Sequence, residues 1–415
     1  MISEDEARKK VLANIGVRPS RSVLLSQALS CFAADDYFSS LPLPNFDNSA
    51  MDGYAVVASS CGLGKRLRVI GEQPAALDRQ LRISAGEAVR IFTGAPMATG
   101  ADAVVMQEDV TREGSEIAVN IDVDPGEFVR RRGCDLAEGQ KIVAKGEAIH
   151  PATIALLASQ GFTQVSVGGK VDAAVISTGD ELVRAGEEIK PGQIYESNSV
   201  LLQALLQRCN AAVKSVRHCK DEAESLRKIL EEAIKYSVLI ISGGVSVGEH
   251  DLVQPTLRSL GAKIDIWRVA IKPGKPFLFG RMKQSRPSPV SSPWPGRGSH
   301  EAAGERCDCF VFGLPGNPVS AFVTFLQFVR PAILKMMGAR DLDLLKVPAK
   351  LAADLTNESE RAHYIRGKFE SGTFESMGRQ ESHALFGLSQ SNALLRLEIG
   401  ATLKKGDVVE VQFWE

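Results

Sequence analysis

Cysteine is scarce and scattered in this chain: 7 in 415 residues, at Cys31, Cys61, Cys134, Cys209, Cys219, Cys307 and Cys309. An odd, dispersed set does not read as a disulfide framework, and Cys307 with Cys309 cannot alone make a four-ligand zinc site. Histidine is scarcer still, at 6 residues with no pair at i, i+4, which removes a zincin-type protease. Aromatic residues make up 6%, too few for a base-stacking surface to stand out. Neither sign of charge is in excess: 49 Lys+Arg against 50 Asp+Glu leave a formal charge of −1. No field favours non-specific binding to a phosphate backbone, so nucleic acid is not expected as a partner. Long apolar runs are missing too, with no stretch reading as the ~18 residues of a membrane helix. The opening MISEDEARKK lacks the apolar core and small-residue cleavage site of a signal peptide. Together these absences predict a protein of the reducing cytoplasm with no membrane partner.

What is present is an ordinary globular mixture, 44% hydrophobic and 24% charged, long enough for about three domains. Residues 1–40 read mainly as helix, with Val11, Ile15, Leu24, Leu25 and Leu29 near helical spacing, ended by the proline-rich turn Leu41 to Pro44. From 47 to 148 short apolar runs (LRVIGE, AVRIFTG, DAVVMQE, EIAVNIDV, QKIVAKGEAI) alternate with glycine turns and predict compact β units. Pro151 and Gly161 bracket a short helix, followed by the strand QVSV.

Between 171 and 337 the pattern changes. AAVIS, AAVKSV, VLIIS, KIDIWRV and CFVFG alternate with helical stripes such as Leu201, Leu202, Leu205, Leu206 and Cys209, or Leu226, Ile229, Leu230, Ala233 and Ile234. A long helix begins near Asn317. Such alternation predicts a parallel α/β sheet covered on both faces. Residues 284–306 hold Pro287, Pro289, Pro293 and Pro295 among serines and read as a mobile loop. They separate FLFG from CFVFG, which could otherwise pair as a hairpin. From 341 onward, alternating strands ending in VVEVQFW predict a small β barrel or sandwich. The fold class is thus α/β multi-domain: a central parallel α/β domain, β-rich N-terminal subdomains and a C-terminal small β barrel.

Ligands of open α/β sheets bind beyond the carboxyl ends of the strands. Three loops there are unusual: Ser177-Thr178-Gly179-Asp180-Glu181, then Ser242-Gly243-Gly244-Val245-Ser246-Val247-Gly248-Glu249 with Asp251 just beyond, then Gly313 to Pro318 with Gly316 and Asn317. Glycines let backbone N–H groups converge on an anion. No Walker A or GxGxxG spacing occurs, so the common nucleotide folds are unsupported. In Lys272-Pro273-Gly274-Lys275-Pro276 two lysines are held stiffly, with Arg268 as a third cation, a set suited to an anion. The bland reading is an exposed turn with solvated lysines. Asp52, before Gly53, is either a turn former or functional, and Thr93 in FTGAP is similarly suggestive. One competing pattern exists: Gly244-Val245-Ser246-Val247-Gly248 fits a nucleophile elbow, with His363 and His383 downstream. Ser242 and Gly243 intervene between strand and elbow, but an α/β serine hydrolase using Ser246 stands as an alternative, beside a non-catalytic anion-binding scaffold.

The blocks FDNSAMDGYAV, RIFTGAPMATGADAVVMQE, RRRGCDL, ISTGDEL, GQIYESNSVLL, ISGGVSVGEHDLV, IKPGKPFLFG and FGLPGNPVSAF, spread over residues 46–322, resemble the molybdopterin molybdotransferase family, the MoeA-like proteins that include the E domain of gephyrin. The resemblance implies an enzyme that takes molybdate and adenylylated molybdopterin and releases AMP and molybdenum cofactor, with Mg2+. It also implies an elongated homodimer with an active cleft built from both subunits, and transient contact with the molybdopterin adenylyltransferase. Four subdomains are implied: 1–46 with 125–168, 47–124, 169–340, and 341–415. Carried over by motif, the family's functional positions fall on Asp52, Thr93, Asp135, Glu181, Asp221, Asp251, Lys272, Lys275, Arg366 and Ser382. Molybdate, a dianion, would be met by Lys272, Lys275, Arg366 and Ser382, and Mg2+ by carboxylates, Glu181 and Asp251 first. Two departures stand out: Arg268 replaces the lysine common ahead of KPGKP, and the 284–306 insert is not part of the common pattern.

Overall fold

The computed structural model describes residues 1–245, 252–283 and 308–414. Ser246, Asp251 and the 284–306 insert lie outside the described residues. The chain forms two compact units, one of residues 1–35, 145–150 and 164–415, the other of 36–144 and 151–163.

The larger unit opens with α1 (Glu4–Ala13), where the Ser3 hydroxyl accepts the Glu6 N–H at 3.2 Å and acidic residues fill the first turn. Ala7, Val11 and Ile15 form its buried stripe. The helix expected to reach residue 40 stops at Ala13. Pro19 cannot donate to a helical ladder, and Arg21–Leu24 instead pairs antiparallel with Gln164–Val167. Leu24 and Leu29, which mimic a helical stripe, are exposed.

The central sheet is built from β1 (Asp172–Thr178), β2 (Ala212–Cys219), β3 (Val238–Ser242), β4 (Lys263–Trp267), β6 (Leu278–Lys283) and β7 (Asp308–Leu314), with the two-residue β5 (Ile271–Lys272) set apart. Its order is β2-β1-β3-β7-β6-β4. β2, β1, β3 and β7 are parallel, but β6 runs antiparallel to both β7 and β4. The wholly parallel sheet expected from the alternation is therefore interrupted. No helical crossover leads from β4 to β6, and a short connection permits only the antiparallel arrangement. FLFG and CFVFG do pair, from Leu278 opposite Gly313 to Lys283 opposite Asp308.

The continuous apolar runs follow from burial on both faces. Ala173, Val175, Val238, Ile240 and Phe312 face one core with α2 (Asn198–Arg208), while Ala174, Ile176, Leu239, Ile241 and Val311 face the other with α3 (Ala223–Ala233). Each such side chain contributes roughly 1.5–3 kcal/mol by leaving water. The long helix after β7 comprises Pro318–Thr324, a π-helical turn Phe325–Val329, and Arg330–Met336. Pro331 has no N–H to return to Gln327, which accounts for the slipped bonding pattern. Contrary to the sequence expectation, this helix is long and apolar enough to cross a membrane by length and composition, and it lies almost wholly inside the core.

The C-terminal part is a closed barrel of β8 (Leu345–Leu351), β9 (Ala362–Glu370), β10 (Thr373–Ser376), β11 (Ala393–Leu397) and β12 (Val408–Phe413) in the order β9-β10-β8-β12-β11, with β11 returning to β9. Leu351, Ile365, Phe374, Leu395 and Val411 fill it. β5 adds to β9 in parallel, setting Ile271 opposite Ala362 and Lys272 opposite His363.

The smaller unit carries a six-stranded sheet in the order Ala103–Met106, Gly53–Val56, Glu87–Ile91, Arg66–Gln73, Glu116–Val119, Val110–Glu113. Gly53 is obligatory there, since a Cβ would lie 1.9 Å from the Val105 carbonyl oxygen. Pro151–Ser159 is helical, as its bracketing residues predict.

Candidate functional site

The carboxyl ends of β1, β3 and β7 lie side by side, and their loops wall a cavity of about 580 Å3. Ser177, Thr178, Gly179 and Glu181 come from the first loop, Ser242, Gly243 and Gly244 from the second, and Gly316 and Asn317 from the third. The loops interlock through close backbone approach. Gly243 has φ +91°, and a Cβ there would sit 2.5 Å from the Thr178 carbonyl oxygen. Its N–H donates to the Leu314 carbonyl at 3.1 Å. Only glycine fits where β3's loop crosses its neighbours.

Asn198, at the start of α2, ties two loops together. Its Nδ2 donates to Ser242 Oγ at 2.8 Å and to the Gly316 carbonyl at 2.7 Å. Its Oδ1, like Thr178 Oγ1, is buried without a partner among the described residues. Unpaired buried polar atoms are costly, so they suit a wall that binds polar groups. Ser177 Oγ lies 3.2 Å from His218 Nδ1. Asn198 and Glu196 line the cavity without having been singled out from the sequence, and His383, noted there only beside the nucleophile elbow, lines it too. The signal available for Asn198 was its place in ESNS, a polar cluster opening a helix that follows a sheet strand.

Carboxylates gather on one side. The Asp221 N–H donates to Asp180 Oδ1 at 3.2 Å. Burial, then the charges of Asp180 and Glu181, push the Asp221 carboxyl above its usual range. Among the described residues no three His, Cys, Asp or Glu converge on a metal-sized point. A Mg2+ ion needs one or two carboxylates, with water and substrate phosphates completing its shell, so Glu181 and Asp221, described residues that line the cavity, could hold one.

Cations gather nearby, outside the cavity's lining. Lys272 and Lys275 sit on a turn closed by Arg268 N–H to the Phe277 carbonyl at 2.9 Å and Val269 N–H to the Lys275 carbonyl at 3.1 Å. Gly274 has φ +119°, and a Cβ would meet Thr324 Cγ2 at 2.7 Å, so the turn is fixed against the long helix. Arg268 adopts φ +72° with its Nε buried and unpaired among the described residues. Across β5 and β9, His363 faces Lys272; burial first, then Lys272, Arg366 and Arg361, push its imidazole down to about 4. Arg366 is 0% exposed. Its Nη2 donates to the carbonyls of Glu381, at 3.4 Å, and Arg379, while Nε and Nη1 have no partner among the described residues. Burial lowers the Arg366 pKa. Ser382 Oγ accepts Asn317 Nδ2 at 2.8 Å, so the barrel segment is bonded to the cavity wall. Pro276, directly after Lys275, is part of that wall.

The smaller unit brings Asp52 and Thr93 together. Asp52 Oδ1 accepts the Thr93 N–H at 2.7 Å and its hydroxyl at 2.8 Å, and chiefly that N–H holds the carboxyl below its usual range. Asp135 lies exposed on a turn, and its N–H donates to the Leu43 carbonyl at 3.0 Å. Ser246, Asp251 and any role for them fall outside the described residues.

Three family models match in series: the MoeA N-terminal region (domains I and II) over 2–161, the probable molybdopterin binding domain over 174–335, and the MoeA C-terminal region (domain IV) over 348–414. A molybdopterin molybdenumtransferase of Haemophilus influenzae is 35% identical over 410 residues, covering 96% of this chain and 95% of the relative. The chain belongs to the molybdopterin molybdenumtransferase family. Another member, from Nostoc sp., is 36% identical over 376 residues, with 88% of this chain and 81% of the relative covered. The crystal structure of a molybdopterin biosynthesis MoeA protein from Pyrococcus horikoshii matches over 100% of both chains with a TM-score of 0.78 at 28% identity. Nothing in this family likeness supports the serine hydrolase alternative.

Proposed function

We propose that this protein inserts molybdenum into adenylylated molybdopterin, yielding molybdenum cofactor and AMP. The observation that carries this reading is the pairing of a strand-end cavity, rich in glycine amides and carboxylates, with a fixed group of cations at its border. Molybdate as substrate needs cations and donors already in place, because it brings two negative charges, while the attacking sulfurs come from the pterin and not from the protein. Lys272, Lys275 and Arg366 supply charge, Ser382 supplies a hydroxyl, and Arg268 contributes a further cation. Arg366 has two donor nitrogens without a partner among the described residues and is held rigid by burial. His363, neutral at physiological pH, adds polarity beside them without adding charge.

The pterin and its phosphoanhydride would occupy the cavity, met by Ser177, Thr178, Gly179, Ser242, Gly243, Gly244, Gly316 and Asn317, with Ser246 from the undescribed part of the same loop. Loop amide donors other than that of Gly243, which is bonded to Leu314, and the hydroxyl of Thr178 orient the phosphates. Glu181 and Asp221, with Asp251, would hold Mg2+, which when bound polarises the phosphoanhydride. A second set, Asp52, Thr93 and Asp135, is assigned to the same reaction by motif; Asp52 enters it already ionised and oriented by Thr93. The four-part division at residues 46, 124, 168 and 340, a homodimeric state, a cytoplasmic location and transient contact with the adenylyltransferase belong to the same proposal.

The test supplies purified protein with adenylylated molybdopterin, molybdate and Mg2+, and follows both AMP and the ability of the product to activate a molybdenum-free molybdoenzyme. Both should rise together. AMP without active cofactor would reduce the protein to a hydrolase.

A further inference from the structure

The first residues of the chain grip both halves of the cation group. The Ala270 N–H donates to the Ile2 carbonyl at 2.9 Å, and Ile2 bridges Val269 in parallel. That backbone runs straight into Lys272-Pro273-Gly274-Lys275. Two residues on, Glu4, 8% exposed, turns its carboxylate to the barrel. Oε1 accepts the Tyr364 hydroxyl and Oε2 accepts Arg396 Nε at 2.9 Å. Tyr364 and Arg396 are directly opposed on β9 and β11. Tyr364 also precedes Arg366 by two residues on the same strand face, and both side chains are buried.

The barrel joins the central part through Ser382 to Asn317 and through Tyr364 and Leu394 in the shared core, but the backbone pairing between the turn and its strand is short. β5 meets β9 over two residues only, Lys272 opposite His363 being one of them, supplemented by Arg361 Nη1 to the Ile271 carbonyl at 3.0 Å. Glu4 is not needed by its own helix: Ser3 caps it, and Asp5 and Glu6, both exposed, satisfy the dipole. An apolar residue would bury as well at lower desolvation cost. A buried carboxylate with two aimed partners fixes one geometry instead.

We propose that Ile2 and Glu4 form a clasp that sets the distance between the Lys272–Lys275 turn and the barrel strand bearing Arg366, making Glu4 a positioning residue for oxyanion capture. This rests on the reading that these cations meet molybdate. A shift on the order of 1 Å between groups that act together can cost up to a hundredfold, so the effect should fall on molybdate and spare the pterin.

The experiment compares Glu4→Ala, Glu4→Gln, Tyr364→Phe and Val11→Ala in the full chain, measuring the molybdate concentration for half-maximal AMP release, the KM for adenylylated molybdopterin, and Tm. Val11 packs α1 on the core far along the helix from the clasp. Glu4→Ala should raise half-saturating molybdate about tenfold or more, with pterin KM and saturated rate within about twofold. Glu4→Gln and Tyr364→Phe, which keep the shape, should give smaller shifts of the same sign and serve if the alanine variant does not fold. Val11→Ala should lower Tm without moving the molybdate dependence. Unchanged molybdate dependence in all clasp variants, or an equal shift in Val11→Ala, overturns the clasp. Lys275→Ala separates the two ideas: if it too leaves molybdate dependence untouched, the anion site itself is misassigned, whereas a shift there with none in the clasp variants condemns the clasp alone.

Discussion

Lys275 is exposed at the tip of a turn whose backbone is fixed by Gly274 against Thr324. Its ammonium contributes little to folding but is held where an oxyanion would arrive. Lys275→Ala should therefore cut molybdate-dependent turnover on the order of 2–4 kcal/mol, roughly 30- to 1,000-fold, with Tm unchanged. Wild-type turnover at low molybdate would contradict the assignment. His363 makes a pH prediction of definite sign. Its folded pKa, about 4, lies below its ordinary 6.5, so the neutral ring contributes stability that is full above pH 6.5 and lost as pH falls toward 4. The loss should reach about 3 kcal/mol. His363→Gln should flatten that part of the stability–pH curve; an unchanged curve would show that the imidazole is not buried among cations. Lys272, Lys275 and Arg268 were legible as a cation group because Pro-Gly spacing betrays a stiff turn. Arg366 was not legible as a buried donor, since its burial depends on the barrel closing around it, and a lone arginine in a strand carries no such mark.

Among elements, strands buried on both faces were the most readable. VLIIS and AAVIS can satisfy their apolar side chains only inside a covered sheet, and that is where β3 and β1 lie. The direction of β6 was less so, because apolar content does not encode polarity of the strand. Residues 14–40 misled for a related reason: Leu24, Leu25 and Leu29 have helical spacing, but Pro19 and the available partner strand Gln164–Val167 decide the backbone. Loop convergence was legible from glycine and hydroxyl content at strand ends. The three-way lock by Gly243, Leu314 and Asn198 was not, as it depends on which strands become neighbours. Gly243→Ala tests that lock. With φ +91° and a Cβ 2.5 Å from the Thr178 oxygen, the variant should lose about 1–3 kcal/mol in thermal or urea unfolding, together with turnover. Full stability in the alanine variant would mean the loop can relax and the crossing is not constrained.

At the scale of the whole molecule, one continuous family likeness spans units that differ in architecture, and the proposed chemistry draws on both. The larger unit holds a cavity and a cation group in one body; the smaller holds Asp52 and Thr93 already bonded to each other. What joins them into one account is a reaction in which release of AMP is coupled to capture of molybdate. Light scattering should report a dimer, in keeping with the proposed assembly, and a monomer at assay concentration would remove it. The most direct measurement is the rate of AMP release from adenylylated molybdopterin by the wild-type protein with Mg2+, with and without molybdate. Molybdate should accelerate release strongly, and the acceleration should be lost in Lys275→Ala. Equal rates with and without molybdate would contradict the coupling.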